Sequence, residues 1–440
     1  MSAFIKTSLI SAVIFFGSIS ALSVLYISLP GARLDFDYFG IKYIHIPTEL
    51  ASDSATTSAG GIAHKHHVSR THSQGGDDNS RSRVMSYRRQ VMKQACQKYT
   101  TKLDSLVSMF YSPRGNFMYC AVPKVGSSFM KRVMYVVANG NGENPLHMSG
   151  VLIHHQTKNL QITKTKDVYG DHVNIMFTRD PYEKIFSAYT DKIYTTLFDD
   201  ICRKISGQVS GSYSAMVNTS FSNTLRYAMG QYTNTPIAID PHFRRSSYSC
   251  DVCNVNYDFI GKMESFNEDV EFFLSAINQT RVFKAMGDVD SNHEQKVVTD
   301  LVDRTFTAKT TQFDDCEFKE LVLRRLWNLL QIRGYLSDMS TYPLTNKKDN
   351  CQVNSSKFVQ LTMQTLSQAG DKQARKAQRH KYMLQAYRSV PLKVLNEFRD
   401  FVQKDCDLFD YDCSPDELFF GRREGDEEGN IFSDVKYMFV

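Results

Sequence analysis

Two places in this 440-residue chain join a short apolar strand to a helix through a turn of small and charged residues. MYCAV, residues 118–122, reads as a buried strand. Pro123, Lys124, Val125, Gly126, Ser127 and Ser128 form a turn, after which Phe129, Val133, Val136 and Val137 recur at roughly helical spacing. Further on, HVNIMFT (172–178) leads into RDPYEKIFSAYTDKIY (179–194). Asp180 is placed there as an N-cap, Pro181 at the first helical position and Glu183 to complete a capping box. Strands feeding helices at both places predict an α/β domain, with a central parallel sheet flanked by helices.

The rest of the chain bounds where that domain lies. From Thr7 to Leu29 there is no charged residue, long enough for a membrane-spanning helix, which needs about 20 residues. A cleaved signal peptide has an apolar region of only about 7–15 residues, so an uncleaved signal anchor is expected. Residues 1–6 then form a cytoplasmic tail. Residues 30–85 form a stem, since 51–83 are rich in Ser, Thr, Gly and His and lack the large apolar side chains a core needs. His64, His66 and His67 within it read as a solvated linker, because no Cys or carboxylate completes a metal site. Compact structure is expected over 86–440, with a basic helix at 360–388 and a loose acidic tail.

The hydrophobic share is 42%, enough for a sizeable core. Net charge is +5, from 52 basic and 47 acidic residues, which argues for no nucleic-acid partner but is compatible with anions held locally. Nine cysteines and the sequons at Asn218, Asn278 and Asn354 favour an oxidising lumen, and the odd count leaves at least one thiol unpaired within the monomer.

The first turn has the ingredients of an anion site. Gly126 lets backbone N–H groups approach a ligand, Ser127 and Ser128 offer hydroxyls, and the helix N-terminus adds its dipole. Lys124 can place charge on an oxygen that becomes negative as a bond breaks. The order differs from a Walker A loop, in which the lysine follows the second glycine. Arg179, at the end of the second strand, can hold a phosphate through two hydrogen bonds. Alone, the first loop reads equally as a tight strand-to-helix turn, and RDP as a capping motif.

Together, PKVGSSFMKRV and RDPYEKIFSAYTDK resemble the Golgi carbohydrate sulfotransferases, in the branch with the chondroitin and dermatan 4-O-sulfotransferases. Two further blocks are similar to that family: DPHFRRSSYSCDVCNVNYDFIGKMESFNED (240–269) and VLNEFRDFVQKDCDLFDYD (394–412). The resemblance covers about 86–270 and 390–412, while residues 281–390 match poorly. It implies a P-loop-like sulfotransferase fold, preceded here by the transmembrane helix, lumenal in a single-pass type II Golgi protein. It implies 3′-phosphoadenosine 5′-phosphosulfate (PAPS) as sulfate donor, no metal, and a glycan acceptor such as a chondroitin-type glycosaminoglycan. Pro123, Lys124, Val125, Gly126, Ser127, Ser128 and Phe129 would form the loop for the 5′-phosphosulfate, and Arg179, Asp180 and Ser187 the site of the 3′-phosphate.

Sulfuryl transfer parallels phosphoryl transfer, an in-line displacement dominated by positioning and charge stabilisation. The acceptor hydroxyl needs a base. His155 opens a segment that resembles the family's H-x-x-x-x-L and is the expected base, with His242 as its rival. Cys250 and Cys253 are expected in disulfides, since a zinc ribbon needs a second C-x-x-C. Cys120, inside a buried strand, reads most simply as a core thiol. Two other classes compete: a P-loop-like kinase or NTPase, disfavoured by the missing Walker A order and the lack of an acidic metal-binding motif, and a non-catalytic lumenal glycan-binding protein, disfavoured by the intact Lys124 and Arg179 loops.

Overall fold

The structure is a computed structural model. It describes residues 34–36, 42–44, 77–99, 108–140, 144–148, 152–162, 170–194, 199–206, 219–231, 239–287, 289–307, 315–366 and 371–420. The expected anchor at 7–29, the three stem histidines, Asn218 and the acidic tail lie outside these residues. Among the described residues no helix is long and apolar enough to cross a membrane. The chain divides into two units, Met1–Thr71 and His72–Val440. In the first, Leu34–Phe36 pairs antiparallel with Lys42–Ile44.

The second unit is built on a four-stranded sheet, β1 (Met109–Ser112), β2 (Phe117–Cys120), β3 (Val173–Thr178) and β4 (Phe259–Lys262), in that spatial order. β2, β3 and β4 run parallel, with Tyr119 beside Ile175 and Ile175 beside Phe259. β1 joins antiparallel, because the short turn from Ser112 to Phe117 can only reverse the chain. Every residue of β2 is buried, and so is β3 from Asn174 to Thr178. Such unbroken burial is what a parallel strand covered on both faces requires.

Among the described residues, the helices that surround the sheet and extend it include α1 (Asp77–Cys96), α2 (Ser127–Asn139), α3 (Pro181–Lys192), α4 (Phe221–Ala228), α5 (Phe266–Ala276), α6 (Val289–Thr307), α7 (Cys316–Ile332), α8 (Ser355–Leu366), α9 (Lys372–Arg388) and α10 (Leu392–Phe409). α1 begins ahead of residue 86. The basic segment 360–388 is two helices, because Asp371 starts a new one by accepting from Ala374 N at 2.7 Å. Two apolar cores result. One lies about the sheet, with Phe117, Val133, Phe177 and Phe273; the other is helical, with Tyr182, Phe221, Trp327, Tyr387 and Phe398.

Cross-links and buried carboxylates fasten the segments. Cys96–Cys253, Cys120–Cys250, Cys316–Cys351 and Cys406–Cys413 are disulfides, and Cys202, outside these pairs, is buried. Cys120 is therefore not a core thiol: β2 packs directly under the turn that carries Cys250. Asp269, fully buried on α5, accepts from Arg88 of α1 at 2.7 Å and from Lys262 N at 2.9 Å. Asp405 of α10 accepts from the amides of Ser246 and Ser247 at 2.7 and 3.0 Å. The segments 240–269 and 394–412, remote in sequence, are thus joined through a buried, fully hydrogen-bonded carboxylate.

Candidate functional site

The site forms where β2 and β3 end. The turn after β2 places Lys124 at φ 70° and Gly126 at φ 78°, both in the left-handed region. A lysine there is strained, and such strain concentrates at functional sites. Gly126 is the N-cap of α2 and has no side chain to satisfy the first-turn amides. Val125 and Phe129 point into the sheet core, so they can serve a ligand only through their backbone; Pro123, Ser127 and Ser128 are half-buried. The Phe129 ring meets Phe266 edge-on at 5.2 Å, and Phe266 also touches Phe177 of β3.

That aromatic cluster closes over Gly126. A Cβ on Gly126 would lie 2.6 Å from the Phe266 ring. Gly126→Ala combines this overlap with an unfavourable φ, so it is expected to cost about 1–3 kcal/mol. Urea unfolding of the variant checks this; a midpoint equal to wild type would show that the turn relaxes freely.

α3 supplies the opposite wall. Asp180 caps it, accepting from Tyr182 N and Glu183 N at 2.9 and 3.0 Å. Burial, with Glu183 and Glu264 adding, pushes the Asp180 pKa up to about 6. The capping box does not close. Glu183 pairs instead with Arg179, whose Nε and Nη2 donate to its Oε2 at 3.1 and 2.9 Å. The Asp180 amide turns to Glu264 Oε1 at 3.1 Å, a partner from the segment after β4. Arg179 Nη1 also reaches the Lys124 carbonyl at 3.5 Å, so the two loops touch.

Glu183, Ser187 and Asp191 follow one another at four-residue steps, which places them along one side of α3. Ser187 is half-buried midway. At the far end, Asp191 Oδ2 lies 3.2 Å from Lys124 Nζ and 3.5 Å from Lys192 Nζ. Its Oδ1 lies 2.8 Å from Arg304 Nη2 and 3.3 Å from Arg333 Nη2. Burial alone would raise the Asp191 pKa, but Lys124, Arg304, Lys192 and Arg333 hold it well below the usual carboxylate range. Burial pushes the Lys124 pKa down to about 7 against the pull of Asp191, and Arg333 and Lys192 push the same way. Both cations that the sequence singled out are therefore already paired, each to a carboxylate of α3.

Three histidines lie in or beside this region. His155, the base expected from sequence, is exposed on the single helical turn Ile153–Gln156. Its neighbour His154 is the one that meets the first loop: Nε2 lies 3.5 Å from Ser128 Oγ, and Nδ1 lies 3.3 Å from Lys131 Nζ. Partial desolvation, with Lys131 and Lys192 adding, pushes the His154 pKa down to about 4. His242 Nδ1 lies 2.6 Å from Asp240 Oδ1, and its backbone N–H donates to the same oxygen at 2.9 Å. Burial lowers the His242 pKa; the Asp240 hydrogen bond opposes this, while Lys192 and Lys124 reinforce it. With Nδ1–H donating to Asp240, Nε2 is left as an acceptor.

Asp191, Lys192, Asp240, Glu264, Arg304 and Arg333 were not singled out from sequence. The polar side of an otherwise buried α3 is the signal that marks Asp191. The sequence holds no such signal for the two arginines.

A lysine-bearing turn at a helix N-terminus, in contact with an arginine that ends the next parallel strand, is an α/β arrangement able to hold an anion. Residues 107–329, about half of the chain, match the profile described as "Sulfotransferase family". The chain belongs to the sulfotransferase family. It is similar to human carbohydrate sulfotransferase 9, at 29% identity over 219 residues, covering 45% of this chain and 48% of that protein. It is also similar to human carbohydrate sulfotransferase 8, at 28% identity over 220 residues, covering 45% and 51%. Mouse carbohydrate sulfotransferase 12 is 25% identical over 238 residues, covering 44% and 57%. The chain spans about half the length of these curated relatives. No solved structure matches.

Proposed function

We propose that this protein transfers a sulfuryl group from PAPS to a hydroxyl of a glycan, with a chondroitin-type glycosaminoglycan as the acceptor to test first. The observation that carries the reading is the contact between the Lys124 turn and Arg179 at the ends of β2 and β3, in a chain of the sulfotransferase family. Similarity to carbohydrate sulfotransferases supports a glycan acceptor. Four disulfides support a lumenal domain, in keeping with a type II Golgi protein anchored by residues 7–29.

Roles follow from position. The turn Pro123–Phe129 receives the 5′-phosphosulfate, through the amides at the start of α2, the Ser127 and Ser128 hydroxyls and Lys124. Arg179 and Ser187, with the Asp180-capped start of α3, receive the 3′-phosphate. His242 takes the acceptor's proton as its oxygen bonds to sulfur. Lys124 meets the charge that the departing phosphate oxygen acquires as its bond to sulfur breaks. His242 is favoured over His155 as base because a carboxylate 2.6 Å away orients its ring.

The 3′-phosphate is remote from the reacting bond, so Arg179→Ala is expected to act on binding. It should weaken binding of 3′-phosphoadenosine 5′-phosphate (PAP) by roughly 30-fold or more, with a smaller change in turnover at saturating PAPS. Calorimetry with PAP and a labelled-PAPS assay on a glycan panel read the two effects. Unchanged PAP affinity would remove Arg179 from the donor site, and no transfer by wild type to any glycan would overturn the reaction.

A further inference from the structure

We propose that Asp191 is the positioning counter-ion of Lys124: it holds the lysine ammonium at the turn before the donor arrives, and Arg304 and Arg333 keep its carboxylate in place when the lysine turns to the donor. The proposal deepens the reading above and rests on Lys124 as a donor-binding residue.

The division of contacts carries it. One carboxylate oxygen, Oδ2, faces Lys124 at 3.2 Å, and the other, Oδ1, faces Arg304 and Arg333 at 2.8 and 3.3 Å. Losing Lys124 to the donor therefore leaves three of the carboxylate's four cations, Lys192, Arg304 and Arg333, in place. A buried carboxylate stripped of every cation would be costly; one that keeps two arginines is not. Arg304 comes from α6, within the 107–329 span that matches the family profile, and Arg333 is the C-cap of α7, just beyond it. α6 is itself seated on α2, since Arg132 donates to Asp300 at 2.8 Å. The helices thus grip the loop helix and the counter-ion together.

The same arrangement sets the charge state of Lys124. Asp191 pairs with it directly, Lys192, Arg333 and His242 interact with it electrostatically, Arg304 holds the other side of Asp191, and Arg179 reaches its carbonyl. Asp191 is the only carboxylate among these groups. Removing its charge deprotonates Lys124 more easily, whereas removing Arg333 has the opposite effect. The opposed shifts follow from the charges alone; a role toward the donor shows when the pH profile of kcat/KM for PAPS moves with them.

Competitive acetylation of the full-length chain across pH, read by mass spectrometry of the Lys124 peptide, tests this without relying on activity. Wild type should show half-maximal Lys124 reactivity near pH 7. Asp191→Asn should move it acidward by about 1–3 pH units, Arg333→Gln should move it alkaline, and Asp191→Glu should largely restore it. In parallel, kcat/KM for PAPS should lose its alkaline limb earlier in Asp191→Asn and recover on lowering the pH. If Asp191→Asn does not fold, Arg333→Gln alone still decides the sign. No shift, or shifts of the same sign in Asp191→Asn and Arg333→Gln, would overturn the proposal. Wild type that titrates as expected but does not bind PAP would leave the Lys124–Asp191 pairing standing and overturn its role toward the donor.

Discussion

Lys124→Ala should lower sulfuryl transfer by roughly 30- to 1000-fold, corresponding to about 2–4 kcal/mol of lost transition-state stabilisation. The loss should fall on turnover more than on PAPS affinity, because the charge on the departing oxygen grows as the bond breaks. Folding should survive. Asp191 keeps Arg304, Arg333 and Lys192, and alanine removes one ammonium from a buried cationic group. Single-turnover assays with labelled PAPS, alongside thermal unfolding, separate the two effects. Normal turnover in a folded variant would take Lys124 out of the reaction. The sign with pH is also set. The lysine acts protonated, and its pKa is pushed down to about 7, so kcat/KM for PAPS should fall as pH rises through neutrality.

His242→Ala should have the larger effect, a drop in transfer of about 10²–10⁴-fold with PAP affinity retained. The Asp240 carboxylate at 2.6 Å selects the tautomer that leaves Nε2 as acceptor. Asp240→Asn should accordingly impair transfer as well, by disturbing that tautomer. His155→Ala is the decisive comparison. His155 lies exposed next to the ring that meets Ser128, and its loss should be mild if His242 is the base. A collapse of transfer in His155→Ala, with His242→Ala near normal, would return the role to His155. The base works unprotonated, and the His242 pKa is lowered by burial, so the acidic limb of kcat/KM should lie below the ordinary histidine range.

Much of the site was legible because its parts are local. Burial on both faces makes β2 and β3 unbroken apolar runs, and the residues that turn each strand into a helix follow within a few positions. Asp180 as N-cap and Pro181 at the first helical position depend only on neighbouring amides, and both hold. Glu183 illustrates where local reading stops. Its spacing fits a capping box, yet a guanidinium four residues upstream competes for the same carboxylate and wins, since a charge-assisted pair outweighs one amide bond. Cys120 failed for a related reason: its strand position is local, but its partner Cys250 is reached only through the fold. Asp191 closes a helix whose sequence resembles the family, but its meaning depends on Arg304 and Arg333, delivered by helices more than a hundred residues away. Long-range charge pairing leaves no periodicity in a sequence.

The disulfides carry a consequence for how the protein matures. Cys250 and Cys253 are three positions apart, yet their partners, Cys120 and Cys96, lie 130 and 157 residues upstream. Closing a small ring between the two neighbours costs far less chain entropy than either native loop, so in an unfolded chain the C-x-x-C pair is the first to find itself. The native pairing becomes favoured only after β2 and α1 have docked beneath the 250–253 turn. Oxidation must therefore follow folding of the sheet, or be corrected by thiol–disulfide exchange, and the yield of active protein is set by that order of events.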